Sequence, residues 1–94
     1  MSEIQTLHIL NKSPEHPRFA RCLSMAGPED AILLIENGVL GFAAAAPGGT
    51  TAKLLALAPD LAARGMDIDS RPVETIDYDG MVELTTRAKQ VISW

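Results

Sequence analysis

Five consecutive apolar residues, Ala31-Ile32-Leu33-Leu34-Ile35, stand between two stretches of turn formers, Gly27-Pro28-Glu29-Asp30 and Glu36-Asn37-Gly38. A strand with one wet face alternates apolar and polar side chains, whereas an unbroken apolar run this short belongs to a strand covered on both faces. Such a strand needs helices above and below it, and that requirement organises the reading of everything else.

The neighbouring segments supply them. Leu7-His8-Ile9-Leu10 reads as a first strand running into Asn11-Lys12-Ser13-Pro14, where Ser13 can cap a helix and Pro14 fits its first position. Phe19, Cys22, Leu23 and Ala26 follow at helical spacing and gather on one inward face. After the central strand, Glu36-Asn37-Gly38 predicts a turn, and Val39, Leu40 and Phe42 with Ala43 to Ala46 predict a short helix ending at Pro47-Gly48-Gly49. Lys53 to Leu57 is a strand on its flanking signals, Pro59 opens a helical turn through Leu61-Ala62-Ala63, and Gly65 closes it in the left-handed conformation. Val73 to Asp77 predicts a further strand. Asp79 is the expected N-cap of a helix whose Met81, Leu84, Thr85 and Ala88 share a face, and Val91 to Trp94 a last short strand. The order βαβαβαβαβ, with connections too long for hairpins, implies an α/β fold with a parallel sheet between helices.

The whole chain, residues 1–94, is expected to form one small domain. A chain of this size buries only about 60–65% of the surface its unfolded form exposes, so a partner subunit would add stability that its own core lacks. Twelve acids against eight scattered bases, a net charge of −4, argue against a direct grip on nucleic acid. One cysteine excludes an internal disulfide and suits a reducing cytoplasm. No Cys/His spacing predicts a metal site. The amino terminus lacks the basic-then-apolar pattern of a secretory signal, and the longest apolar tract, Val39 to Ala46, is too short to span a membrane.

In open α/β sheets, ligands bind beyond the carboxyl ends of the strands, which directs attention to Asn11-Lys12-Ser13, Glu36-Asn37-Gly38 and Tyr78-Asp79-Gly80. Gly38 and Gly41 lack the third glycine of a dinucleotide fingerprint and the Gly-Lys-Ser/Thr of a P-loop, so a tight turn with close packing explains them better than a phosphate does. Asp77 and Asp79 read as helix caps rather than an acid/base pair. His8 and His16 read as core or capping histidines, neither standing at a spacing that fixes a catalytic partner. No cofactor is expected. Cys22 is the one residue able to do covalent sulfur chemistry, and it is the candidate site residue: a thiolate there could attack a persulfide and carry its terminal sulfur. Its helical face argues for a buried packing role; Arg18, one turn earlier, and Arg21 beside it argue for a stabilised thiolate.

Leu7-His8-Ile9-Leu10-Asn11-Lys12-Ser13-Pro14 resembles the opening Leu-His-x-x-Asn-(Lys/Arg)-Ser-Pro signature of the DsrH/TusB family. Leu33 to Val39, Leu57 to Gly65, Ile76 to Thr85 and Trp94 are similar to it in order and spacing. The resemblance implies a DsrE-like three-layer sandwich, mostly parallel, with helices on both faces. It implies a non-autonomous subunit of a cytoplasmic sulfur relay complex. DsrE/TusD-type and DsrF/TusC-type siblings would complete a heterohexamer, and sulfur would pass to a DsrC/TusE-type carrier. Its destination would be the 2-thiouridine of tRNA or oxidative sulfur metabolism. The principal persulfide cysteine of such complexes belongs to the DsrE/TusD-type chain. Cys22 falls near the first-helix cysteine of DsrH-type members, which makes it a candidate persulfide carrier; the alternative is a purely structural subunit that carries no sulfur itself.

Overall fold

The computed structural model describes residues 3–43, 50–66 and 74–94. Five strands, β1 (Ile4–Leu10), β2 (Ala31–Leu34), β3 (Lys53–Leu57), β4 (Glu74–Ile76) and β5 (Ala88–Ser93), form one sheet in the order β4-β3-β2-β1-β5. Every pairing is parallel. Four α-helices connect them: α1 (Pro17–Met25), α2 (Leu40–Ala43), α3 (Ala58–Ala63) and α4 (Tyr78–Arg87), with a 3-10 turn at Glu36–Val39 leading into α2.

The central run behaves as its composition requires. All four β2 residues are buried, and they alternate between two cores. Ile32 and Leu34 join Leu10, Phe19, Cys22, Leu23, Val39 and Leu61 on the side of α1, the 3-10 turn and α3. Ala31 and Leu33 join Leu7, Leu55 and Leu84 on the side of α4. The chain steps outward from β1 to β4 with α1, the 3-10 turn and α3 on one face, then returns past β1 to β5 with α4 on the other. A constant crossover hand demands this change of face. Among the described residues, the ten-residue α4 is the helix that packs on this second sheet face.

Several boundaries differ from expectation for identifiable reasons. α1 starts at Pro17 with His16 as its N-cap, because Ser13 to His16 closes a turn through the His16 N–H on the Ser13 carbonyl at 2.9 Å. Both Ser13-Pro14 and His16-Pro17 carry a helix-start signal, and the second is used. β1 begins at Ile4 and β5 at Ala88, each about three residues earlier than the apolar runs suggest, since the β1–β5 ladder draws polar Gln5, Thr6, Lys89 and Gln90 into the sheet. Ala88 accordingly opens β5 instead of closing the face of α4. α4 is capped by Asp77, whose Oδ1 accepts from the Gly80 N–H at 2.8 Å, while Asp79 sits in the first turn. The segment expected to be a turn at Glu36-Asn37-Gly38 is helical, and α2 follows it. The predicted helix over Ala44 to Ala46, its Pro47-Gly48-Gly49 end, and Val73 in the fourth strand lie outside the described residues. Gly65, at φ +65°, ends α3 as expected.

Candidate functional site

The loops at the carboxyl ends of β1 and β2 meet α3 and the end of β5, and most of the sequence motifs converge there. The Gly38 N–H donates to the Ile35 carbonyl at 2.8 Å, and Gly38 lies so close to the end of β1 that an added Cβ would collide with the Leu10 carbonyl oxygen. Only glycine allows that approach. Glu36 adopts φ +50°, an uncommon left-handed conformation for a residue with a side chain, and its N–H donates to Asp60 Oδ2 at 2.7 Å. The Arg64 guanidinium donates to Asn37 Oδ1 at 3.2 Å and to the Asp60 carbonyl at 3.2 Å. On the other side, Lys12 Nζ donates to Asn11 Oδ1 at 2.7 Å and to the Trp94 main-chain oxygen at 2.5 Å. Tyr78-Asp79-Gly80, the third loop singled out, follows edge strand β4 and begins α4.

Beneath this platform lies a polar chain centred on a buried histidine, its two partners half-buried. His8, 4% exposed in the middle of β1, places Nε2 3.0 Å from Asp30 Oδ2, and its Nδ1 accepts from the Trp94 indole N–H at 3.0 Å. Burial alone would raise the Asp30 carboxyl, but hydrogen bonds from the Gly27 N–H and His8, the attraction of the His8 ring whenever it carries a proton, and the Thr6 N–H outweigh it and hold the group below its ordinary value. Both ring nitrogens of His8 are thus occupied, one by a carboxylate and the other by an indole. No hydroxyl or thiol takes the second nitrogen, as a catalytic triad would require. His16 uses Nδ1 to accept from the Arg18 N–H at 3.0 Å. The sequence reading of the two histidines as core and cap stands.

Cys22 faces the sheet from α1 and is fully buried. Phe19, Leu23 and Val39 belong to the same cluster, and among the described residues its sulfur has no hydrogen-bond partner. Burial pushes its thiol up to about 12. Arg18 and Arg21 are exposed, and neither offsets that burial, so the cationic environment read from the sequence does not reach the sulfur. Helical spacing located the face correctly; the expected effect of the arginines failed because residues near in sequence can point their charges into water.

A cleft of about 470 Å³ opens at the opposite, amino-terminal end of the sheet beside α4, lined by Glu3, Asp30, Lys53, Glu74, Glu83 and Arg87 among others. The Lys53–Glu74 and Lys89–Glu3 ion pairs, at 2.8 and 3.7 Å, neutralise part of its rim. The sequence directs attention to the carboxyl ends and carries no signal for this concavity, which among the described residues lies between α4 and the amino-terminal ends of the strands. Among the described residues no group of three His, Cys, Asp or Glu could hold a metal ion, and no helix is long and apolar enough to cross a membrane.

Fold and site together define a small, all-parallel three-layer sandwich of the DsrE-like kind whose motif residues fasten loops and strand ends to one another. A family described as DsrH like protein matches residues 12–91, and the chain belongs to this DsrH/TusB family. It is 38% identical to Protein TusB of Pectobacterium parmentieri over 94% of this chain and 99% of the relative. It is 35% identical to Protein TusB of Buchnera aphidicola subsp. Baizongia pistaciae over the same shares. Among solved structures, the solution NMR structure of Protein Tm0979 from Thermotoga maritima is similar at a TM-score of 0.72 and 30% identity, covering 87% of this chain and 92% of that one. The general role is that of a TusB-like sulfur-relay protein.

Proposed function

We propose that this chain is the DsrH/TusB-type subunit of a cytoplasmic sulfurtransferase complex, docking with DsrE/TusD-type and DsrF/TusC-type siblings while sulfur passes to a DsrC/TusE-type carrier. The observation that carries this reading is the near full-length identity to proteins named TusB, combined with motif residues engaged in fastening rather than chemistry. The proposed destination of the sulfur is tRNA wobble-uridine 2-thiolation or oxidative sulfur metabolism.

Of the two roles open to Cys22, its surroundings support packing. A persulfide carrier must present a thiolate to the outer sulfur of a donor persulfide, and then its own outer persulfide sulfur to an acceptor thiolate, whereas this sulfur is sealed beneath α1 and held as a thiol. The chain then contributes surface and stability while a sibling's cysteine carries the sulfur. Co-expression with the two siblings tests the subunit reading: the expected product is a stable heterohexamer on size exclusion with light scattering. A chain that stays apart from both siblings refutes it.

A further inference from the structure

The part-buried chain Asp30–His8–Trp94 has a polarity that the positions of its heavy atoms settle. An indole N–H can donate but never accept, and it points at His8 Nδ1 from 3.0 Å. Nδ1 is therefore the bare nitrogen of a neutral ring. The ring hydrogen sits on Nε2 and is donated to Asp30 Oδ2 at 3.0 Å. A further proton can enter only at Nδ1, where it would face the indole hydrogen, donor against donor. Asp30 strengthens its hold on the charged ring as Trp94 loses its acceptor.

We propose that His8 is a proton-operated latch on the end of the sheet: neutral, it holds the Trp94 indole against β1; protonated, it releases the indole while remaining on Asp30. The partners of Trp94 divide its response. Its N–H donates to the Ile9 carbonyl at 2.8 Å and its main-chain oxygen accepts from Lys12, so the backbone stays in register while the ring swings away. The ring packs against the core on the α1 side, and that corner opens to water. It lies at the end of β5, an edge strand with Val91 and Ile92 already exposed, so a proton taken up in the interior alters an exposed edge of the sheet.

The surrounding groups leave His8 as the element that changes charge. Asp30, ahead of β2, is a carboxylate on the Nε2 side, and Lys12, beyond β1, is a cation held on the Trp94 main chain. Its own strand contributes Thr6, β5 contributes Gln90 and Ile92, and β2 contributes Ile32, none of which carries charge. From α1 the buried face presents Phe19, Cys22 and Leu23, of which Cys22 stays an uncharged thiol.

The chain contains one tryptophan and two histidines, which makes the latch directly readable. The indole N–H resonance and the tryptophan emission of the full chain are followed from about pH 8 to about pH 5.5, a window in which histidine is the side chain that ordinarily changes charge. The indole resonance is expected to move with the same midpoint as the His8 ring protons, with emission shifting to longer wavelength. His16→Gln should keep this response. His8→Gln, whose amide can accept the indole hydrogen and donate to Asp30 without ionising, should abolish it. An indole resonance that stays fixed throughout the window overturns the proposal, as does a response that survives His8→Gln or disappears in His16→Gln. Should His8→Gln fail to fold, the nitrogen-15 spectrum of the wild-type ring decides: hydrogen on Nδ1 of the neutral ring refutes the latch, and hydrogen on Nε2 supports it.

Discussion

Replacing Cys22 by serine and by alanine separates a packed sulfur from an accessible one. The side chain is fully buried in an apolar cluster with no hydrogen-bond partner among the described residues. Alanine removes one sulfur from that cluster. At about 25 cal/mol per Å² of lost burial and about 24 cal/mol per Å³ of cavity, the cost comes to roughly 1–2 kcal/mol. Serine nearly preserves the volume but buries a hydroxyl among hydrocarbons, adding about 1–3 kcal/mol for the unsatisfied group to the lost sulfur contacts. Its total is roughly 2–4 kcal/mol, the lower figure applying where the hydroxyl bonds back to the Arg18 carbonyl one turn earlier. Urea unfolding followed by circular dichroism measures both. With a slope of about 1–3 kcal/mol per M for small proteins, the serine variant should unfold at a clearly lower urea concentration than the alanine variant. A serine variant as stable as the wild type would mean that the site reaches water, and the burial argument for a packing role would fall with it.

The thiol titration offers a second test. With its value raised by burial from 9.0 to about 12, the folded protein keeps a proton that the unfolded chain gives up. The resulting contribution is fully present below about pH 9 and declines as pH rises toward 12; it is at most about 4 kcal/mol. Wild type should therefore lose stability relative to Cys22→Ala between pH 9 and 11 in paired denaturation curves. Alkylation of native Cys22 by iodoacetamide at pH 8 should be at least a hundredfold slower than in urea, as read by mass spectrometry. Asp30, held below its ordinary value, contributes stability above the usual carboxylate range and loses it as pH falls through its folded value. Asp30→Asn should thus cost about 1–3 kcal/mol near pH 7 and progressively less toward pH 3, measured by chemical denaturation. Gly38→Ala forces a methyl onto the Leu10 carbonyl and should lower stability by about 1–3 kcal/mol in thermal unfolding.

The sheet was legible where apolar runs were long enough to act alone. Ala31 to Leu34 and Lys53 to Leu57 appear as strands within a residue of their expected limits, and Pro59 and Gly65 frame α3 as their backbone preferences require. Edges were illegible where tertiary pairing supplied what composition did not. Thr6 enters β1 by pairing with Gln90 of β5, to whose Oε1 its hydroxyl also donates at 3.3 Å, a partner 84 positions away that no local window contains. The site divides similarly. Helical spacing places Cys22 on the inward face, and the sequence marks core or capping positions for the histidines, which the structure fills with a buried His8 and a capping His16. The union of His8, Asp30, Lys12 and Trp94 was hidden because it depends on β5 returning beside β1 after the rest of the sheet is built.

Sulfur flow through the assembled complex tests the central claim most directly. The complex reconstituted with Cys22→Ala, confirmed intact by size, should deliver labelled persulfide sulfur to the carrier protein at the wild-type rate. Loss of delivery from an intact complex would contradict the account and assign Cys22 a place in the relay.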